Sequence, residues 1–527
     1  MSLPDERSAR GEAEKNPRGP DPIETMSAGE RVFERWRRTV TLFLGPLSFA
    51  ALLVLPPDGL PPEAARLLAV LAWVIVWWMG EAVPLAVTAV LGPALATVLG
   101  VGKATELFAP FGDPIIFLFL GSFILAEAML ATGLDRRFAL TVLARPWVGA
   151  SPSRIMLAFI AIAGGLSMWL SNTATTAMLY PIALAVLVSL SRLRSLGDDA
   201  RDERAEGRFA TVLMLAVAWA ASIGGLATPV GTPPNLIVLG QLSKLADVRI
   251  SFFQFMVLAA PATVVSMLFL VLLLRRAIPP GLTRVEGARE LIVSERAQLG
   301  ALTRGERNVL VAFALTVALW LLPGLVALGA GAASPAAIRA QAALPEGVVA
   351  VFGAALLFVL PVDWKNRRFT LAWSRAMQID WGTLLLFGGG LSLGSAMFRT
   401  GLAAALGEGL VRHTGATSGV ALAFLFCAVA VVMSETTSNT ASATMVAPLA
   451  IAAAQAAGVS PVAPALAACF GASMGFMLPV STPPNAIVYG SGLVPITSML
   501  RNGIVLDAIG CAIIPPAVLL TCSLLGL

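Results

Sequence analysis

The chain has 527 residues, of which 57% are hydrophobic and 13% charged, with a mean hydropathy of +0.83, so it reads as an integral membrane protein and not a soluble one. A net charge of +5 gives no nucleic-acid footprint. Cys427, Cys469, Cys511 and Cys522 all lie in apolar segments without CxxC or Cys/His spacing, which argues against structural disulfides and a zinc site.

Residues 1–30 are rich in Asp, Glu, Arg, Pro and Gly, and read as a disordered cytoplasmic tail instead of a signal peptide, with Met26 as an alternative start. Long apolar runs follow, most near the roughly 20 residues that cross a bilayer. A first transmembrane helix is predicted at 39–56, within a unit 31–60. A first repeat, 61–276, then carries segments at 65–80, 82–101 and 114–132, a helical hairpin at about 155–190, a segment at 209–246 broken by Pro233-Pro234, and one at 252–275. Beyond a cytoplasmic linker at 277–305, a second repeat, 306–527, carries segments at 308–329, 346–361 and 381–402. A second hairpin at about 419–456, a segment at 463–495 broken by Pro483-Pro484 and a last one at 505–525 complete it. The expected fold is all-α and polytopic, with about eleven transmembrane helices besides the two hairpins. The one histidine, His413, reads as a solvated residue in a short polar link.

Charge sets the topology. Arg and Lys cluster at 31–38, 136–154, 192–208, 275–307 and 365–375, which the positive-inside rule places in the cytoplasm. The links 56–63, 325–346 and 453–464 carry almost none, and should face outward. Basic stretches flank 155–190 on both sides, so this hairpin is re-entrant and returns to the cytoplasmic face. Weakly charged flanks suit the second hairpin to the outer face, and the two then meet tip to tip. An odd number of spans leaves the N terminus cytoplasmic and the C terminus outside, and segments two to six and seven to eleven become repeats of inverted topology.

The repeat is also visible in motifs. Ser171-Asn172-Thr173 is followed by Thr232-Pro233-Pro234-Asn235, and Ser438-Asn439-Thr440 by Thr482-Pro483-Pro484-Asn485. Asn172 and Asn235 are 63 residues apart and Asn439 and Asn485 are 46 apart; the excess is assigned to a charged loop at 191–208. Thr132-Gly133-Leu134 is echoed by Thr400-Gly401-Leu402, and Gly121 by the glycines at 388–390.

A half-helix that begins at a Ser-Asn-Thr tip presents unpaired N–H groups and the positive end of its dipole, which favours an anion. Two such tips suit a ligand with two anionic ends. Carbonyls freed at Gly231 and Ser481, with Ser and Asn side-chain oxygens, are hard neutral donors suited to Na⁺. One Ser-Asn-Thr alone would be an ordinary cap and one Pro-Pro an ordinary kink, but two linked copies in opposed hairpins mark a transport site.

These motifs resemble the divalent anion/sodium symporter family, the solute carrier 13 group. The matching stretches are Ser171-Asn172-Thr173-Ala174-Thr175-Thr176, Val230-Gly231-Thr232-Pro233-Pro234-Asn235, Ser434-Glu435-Thr436-Thr437-Ser438-Asn439-Thr440 and Pro479-Val480-Ser481-Thr482-Pro483-Pro484-Asn485. The likeness runs from the second segment to the end of the chain and leaves the tail and first segment uninformative. It implies one Na⁺ site at Ser167, Ser171, Asn172 and the Gly231 carbonyl, and another at Ser434, Thr437, Ser438, Asn439 and the Ser481 carbonyl. It implies substrate contacts at Asn172, Thr173, Asn439, Thr440 and Thr482, with Thr232 a weaker one. It also implies a homodimer in the inner membrane that works as an elevator, importing a dicarboxylate such as succinate, malate or fumarate with Na⁺ as coupling ion and no organic cofactor. A sulfate or tricarboxylate carrier, or a sodium-independent exchanger, remains an alternative within the family. A channel lacks its repeated filter glycines, and an enzyme its metal cluster, nucleotide loop or triad. Glu435 reads as structural, and Glu81, Asp113, Glu127 and Asp380 as interfacial.

Overall fold

The computed structural model describes residues 28–194, 200–280, 282–285 and 287–527. The expected tail therefore lies almost wholly outside the described residues. The chain opens with α1 (Ala28–Val54), α2 (Pro62–Gly80), α3 (Leu85–Val98), the short α4 (Ala104–Phe108), α5 (Pro114–Thr132) and α6 (Leu134–Leu143). The first hairpin is α7 (Pro152–Ser167) and α8 (Asn172–Arg194), followed by α9 (Ala200–Gly224), α10 (Pro233–Leu245) and α11 (Phe252–Ala277). After α12 (Ala288–Gln298) come α13 (Arg304–Ala330), α14 (Pro335–Ala343), α15 (Glu346–Val359), the strands β1 (Pro361–Asp363) and β2 (Arg368–Phe369), α16 (Trp373–Ala376), α17 (Trp381–Arg399) and α18 (Leu402–Thr414). The second hairpin is α19 (Gly419–Thr436) and α20 (Asn439–Ala456), followed by α21 (Val462–Gly471), α22 (Pro483–Tyr489) and α23 (Ile496–Leu525).

Among the described residues ten helices are long and apolar enough to cross a membrane, or eleven if the pair α14 and α15, bent by 49°, is one span. The total agrees with expectation but its members differ. α8 and α19 qualify by length, whereas α3 and α21 are shorter apolar helices. Exposed Leu47, Val264, Leu328 and Phe352 give the outer face an apolar skin suited to hydrocarbon.

Several helix pairs of the two halves pack in matching ways. α7 lies on α9 as α19 lies on α21, α5 packs against α15 as α17 packs against α3, and α11 meets α23. Gly121 and Gly389 permit close approaches to backbone: a Cβ on Gly121 would fall 2.4 Å from the Ala350 carbonyl carbon, and one on Gly389 2.2 Å from the Ala89 oxygen. Gly133 and Gly401 have φ of 74° and 79°, left-handed values that turn α5 into α6 and α17 into α18.

Several links expected as irregular are ordered. The stretch 191–208 is not a simple loop, because α8 runs to Arg194 and α9 begins at Ala200, with 195–199 outside the described residues. The link 325–346 holds the end of α13 and all of α14, and the linker 277–305 holds α12. Arg, Lys and Ala are good helix formers, so charge alone did not break these helices. His413 stands in the last turn of α18 and not in a link. The carboxylates near segment ends have local work: Asp113 accepts from Ile115 N at 3.1 Å, Asp380 from Thr383 N at 3.1 Å, and Glu127 pairs with Arg375 at 3.1 Å.

Candidate functional site

Each hairpin breaks at its Ser-Asn-Thr tip. Ser171 Oγ accepts from Ala174 N at 3.2 Å and Ser438 Oγ from Ala441 N at 3.2 Å, so both serines serve as N-caps of the returning half-helices. The N–H groups ahead of these bonds belong to Asn172, Thr173, Asn439 and Thr440, which have no carbonyl four residues back within their own helix.

Opposite the first tip, the break between α9 and α10 is held by Asn235. Its Nδ2 donates to Gly225 O at 2.9 Å and Thr228 O at 2.7 Å. Asn485 does the same at the second break, donating to Gly475 O and Leu478 O, each at 3.0 Å. Each asparagine reaches ten and seven residues back along the chain, so one non-helical backbone shape is built twice. The asparagines are in turn braced across the halves. Trp219 Nε1 donates to Asn485 Oδ1 at 3.2 Å, and Cys469 Sγ to Asn235 Oδ1 at 3.4 Å. Trp219 and Cys469 each stand sixteen residues before their own break asparagine.

Oxygens converge where tip meets break. Ser167 Oγ donates to Asn172 Oδ1 at 2.6 Å, and Ser434 Oγ to Asn439 Oδ1 at 2.7 Å and Ala472 O at 2.6 Å. A Cβ on Gly225 would sit 2.4 Å from Asn172 Oδ1 and 3.2 Å from Gly231 O, and one on Gly231 would sit 2.5 Å from Gly225 O and 2.9 Å from Ser167 O. The 2.4 and 2.5 Å gaps are too short for carbon, so only glycine at 225 and 231 lets these oxygens come together. Ser167, Asn172, Gly225 and Gly231 thus gather neutral oxygens, donors of the kind hard cations take, into a cage. At the second site a Cβ on Gly475 would meet Ser434 Oγ at 3.1 Å and Ser434 O at 3.3 Å, a looser cage.

The other expected residues fall into place unequally. Thr232 and Thr482 are the N-cap residues of α10 and α22 and are buried. Thr437 Oγ1 is shared with Ser442 Oγ at 2.8 Å, which locks the second tip internally. Ser481 Oγ donates to Glu435 Oε2 at 2.5 Å and to Glu435 O at 3.1 Å. Glu435 is 4% exposed and also accepts from Met477 N at 2.9 Å and Leu478 N at 3.2 Å, so its carboxylate staples the second hairpin to the second break. Sequence reasoning named Asn235, Asn485 and Cys469 without giving them a part in the site, and overlooked Gly225, Gly475 and Trp219. The signal was available in the equal spacing Gly225 to Asn235 and Gly475 to Asn485.

A chain with two half-helix tips facing two asparagine-braced breaks has the architecture of a membrane carrier, and residues 35–525 match the family described as the sodium:sulfate symporter transmembrane region. The chain belongs to that transporter family. Among its relatives is the protein named sodium-dependent dicarboxylate transporter SdcS of Staphylococcus saprophyticus, 36% identical over 468 residues, covering 88% of this chain and 87% of that one. The SdcS of Staphylococcus aureus is 35% identical over 478 residues, 90% of this chain and 89% of that one. The crystal structure of the YdaH transporter of Alcanivorax borkumensis shares the fold, with a TM-score of 0.51 at 16% identity, covering 95% of this chain and 98% of that one.

Proposed function

We propose that the protein is a secondary active carrier that couples Na⁺ to the import of dicarboxylates such as succinate, malate and fumarate. The observation that carries this reading is the doubled pairing of a neutral oxygen cage with a half-helix N-terminus. One Na⁺ is held by Ser167, Ser171, Asn172 and Gly231, and another by Ser434, Thr437, Ser438, Asn439 and Ser481. The substrate carboxylates take the N–H groups and side chains of Asn172, Thr173, Asn439 and Thr440, with Thr482 and Thr232 beneath. Sodium places a positive charge in the neutral cage and draws in the asparagines that also meet the anion, so the ligands strengthen each other. The names of the staphylococcal relatives support both the dicarboxylate and the sodium dependence.

In this reading the repeats 61–276 and 306–527 are inserted in opposite senses in the cytoplasmic membrane, the N terminus is cytoplasmic and the C terminus outside. Exposed Trp36, Trp147, Trp364 and Trp373 lie in or beside the basic segments, as interfacial anchors at one membrane face would. The carrier works as a homodimer whose hairpins and breaks move together as an elevator against the remaining helices.

The test is uptake into proteoliposomes with and without Na⁺ across succinate, citrate and sulfate. Asn172→Ala and Asn439→Ala should each weaken Na⁺ and succinate by roughly tenfold to hundredfold, the value of a hydrogen bond to a charged ligand. Raising Na⁺ should restore part of the succinate affinity. Wild-type curves from either variant, or a preference for sulfate, would overturn the reading.

A further inference from the structure

The first helix, silent in the sequence comparison of motifs, reaches the second tip. Arg37 of α1 donates from Nη1 to Met79 O at 3.2 Å and to Thr436 O at 3.2 Å. These are carbonyls in the last turns of α2 and α19, and neither helix has a basic residue in its own last turn. Helix C-termini leave carbonyls without partners and carry the negative end of the dipole, so each favours a cation. One guanidinium serves both, because its donors are fixed in a planar fork. Glu34 holds it in place, accepting from Arg37 Nη2 at 2.8 Å and from Arg38 Nε at 2.8 Å. The Arg37 side chain is only 22% exposed.

The α1–α2 pair and α19 have different main packing partners. α1 packs chiefly on α2, and α19 packs chiefly on α21, α20 and α23. α1 and α2 lie tight together, since a Cβ on Gly80 would sit 2.1 Å from Thr41 Oγ1. Thr436 follows directly on Ser434 and Glu435, the residues that line the second cage and staple it.

We propose that Arg37 is a positioning residue for transport: it ties the second hairpin tip to the α1–α2 pair in this conformation, and the bond to Thr436 breaks each time the tip carries its ligands across. The second half of this statement rests on the moving-hairpin reading above. Removing the tie lowers the population of this conformation and leaves the ligand residues themselves unchanged.

The test uses the full chain with Cys511→Ala, Met79→Cys and Thr436→Cys, both new positions being exposed and the remaining native cysteines buried. A short bifunctional thiol reagent should bridge the pair and stop Na⁺-driven succinate uptake, and reduction should restore it. Arg37→Ala in this background should slow bridging roughly tenfold, as expected for loss of one hydrogen bond from a charged donor. Arg37→Lys should recover part of the rate by restoring a charged donor, and Arg37→Gln less. Bridging that does not depend on Arg37, or no bridging when Arg37 is present, would overturn the tie and leave the moving hairpin standing. Transport that continues in the bridged protein would overturn the moving hairpin and the requirement that the bond break, while an Arg37-dependent rate would still support the tie.

Discussion

Gly225 is the position at which a single methyl group would enter the first oxygen cage. A Cβ there would lie 2.4 Å from Asn172 Oδ1 and 3.2 Å from Gly231 O. No real carbon sits 2.4 Å from an oxygen, so in Gly225→Ala the asparagine must swing away. It then loses the 2.6 Å bond from Ser167 and the place proposed for it as a cation ligand. The bond is worth about 1 kcal/mol and the charged contact about 1.5–3 kcal/mol. Apparent Na⁺ affinity should therefore fall by roughly tenfold to a thousandfold. Gly475→Ala supplies the comparison, because its Cβ would meet Ser434 Oγ at 3.1 Å and Ser434 O at 3.3 Å, gaps that shifts of a few tenths of an ångström relieve. The second variant should lose no more than about tenfold. Succinate uptake and thermal stabilisation, each titrated with Na⁺, read the two independently. A wild-type sodium curve from Gly225→Ala would refute the cage, as would equal losses in both variants.

Four further predictions concern the frame. Trp219→Phe keeps a ring beside Phe476 but leaves the buried Asn485 Oδ1 without its indole donor, and should cost about 1–3 kcal/mol in unfolding free energy. Cys469→Ala should cost less in the same melt, because a thiol is a weak donor. Arg137 donates to Glu306 at 2.6 Å and to the carbonyls of Gly300 and Leu299, each at 2.9 Å, so Arg137→Ala strands a carboxylate that is 3% exposed. The expected loss is about 3–5 kcal/mol, part of it returned by adding Glu306→Gln. Burial pushes the Asp135 carboxyl on α6 up from 3.8 to about 6. The folded protein then binds the extra proton between roughly pH 4 and 6, so stability falls by about 3 kcal/mol as pH rises through that window. Asp135→Asn should raise Tm at pH 7.5 and flatten the slope between pH 4 and 6.

The apolar runs, the hairpins and both tips were legible because hydrophobic length and the Ser-Asn-Thr and Pro-Pro interruptions are local signals. The family resemblance implied that Asn172 and Ser167 lie together, and the two are hydrogen-bonded at 2.6 Å. The helices α6, α12 and α18 were missed, since their amphipathic patterns lie within basic or short links and depend on packing against other elements. The bracing by Trp219 and Cys469 spans 266 and 234 residues, beyond the reach of any local pattern. Glu435 had been read as structural, and its bonds to Met477, Leu478 and Ser481 supply the structure it holds.

The crossed bonds of Trp219 and Cys469 have a meaning apart from stability. A two-fold axis between identical subunits makes residue i meet j and j meet i automatically. Here the same exchange occurs inside one polypeptide, so it carries the imprint of an assembly of two equal partners in a chain that has only one copy of each. Within a single chain the two contacts are free to drift apart, and they have: an indole on one side, a thiol on the other. Unequal bracing lets each end of the ligand site be tuned without disturbing its counterpart, a freedom that two identical subunits do not have.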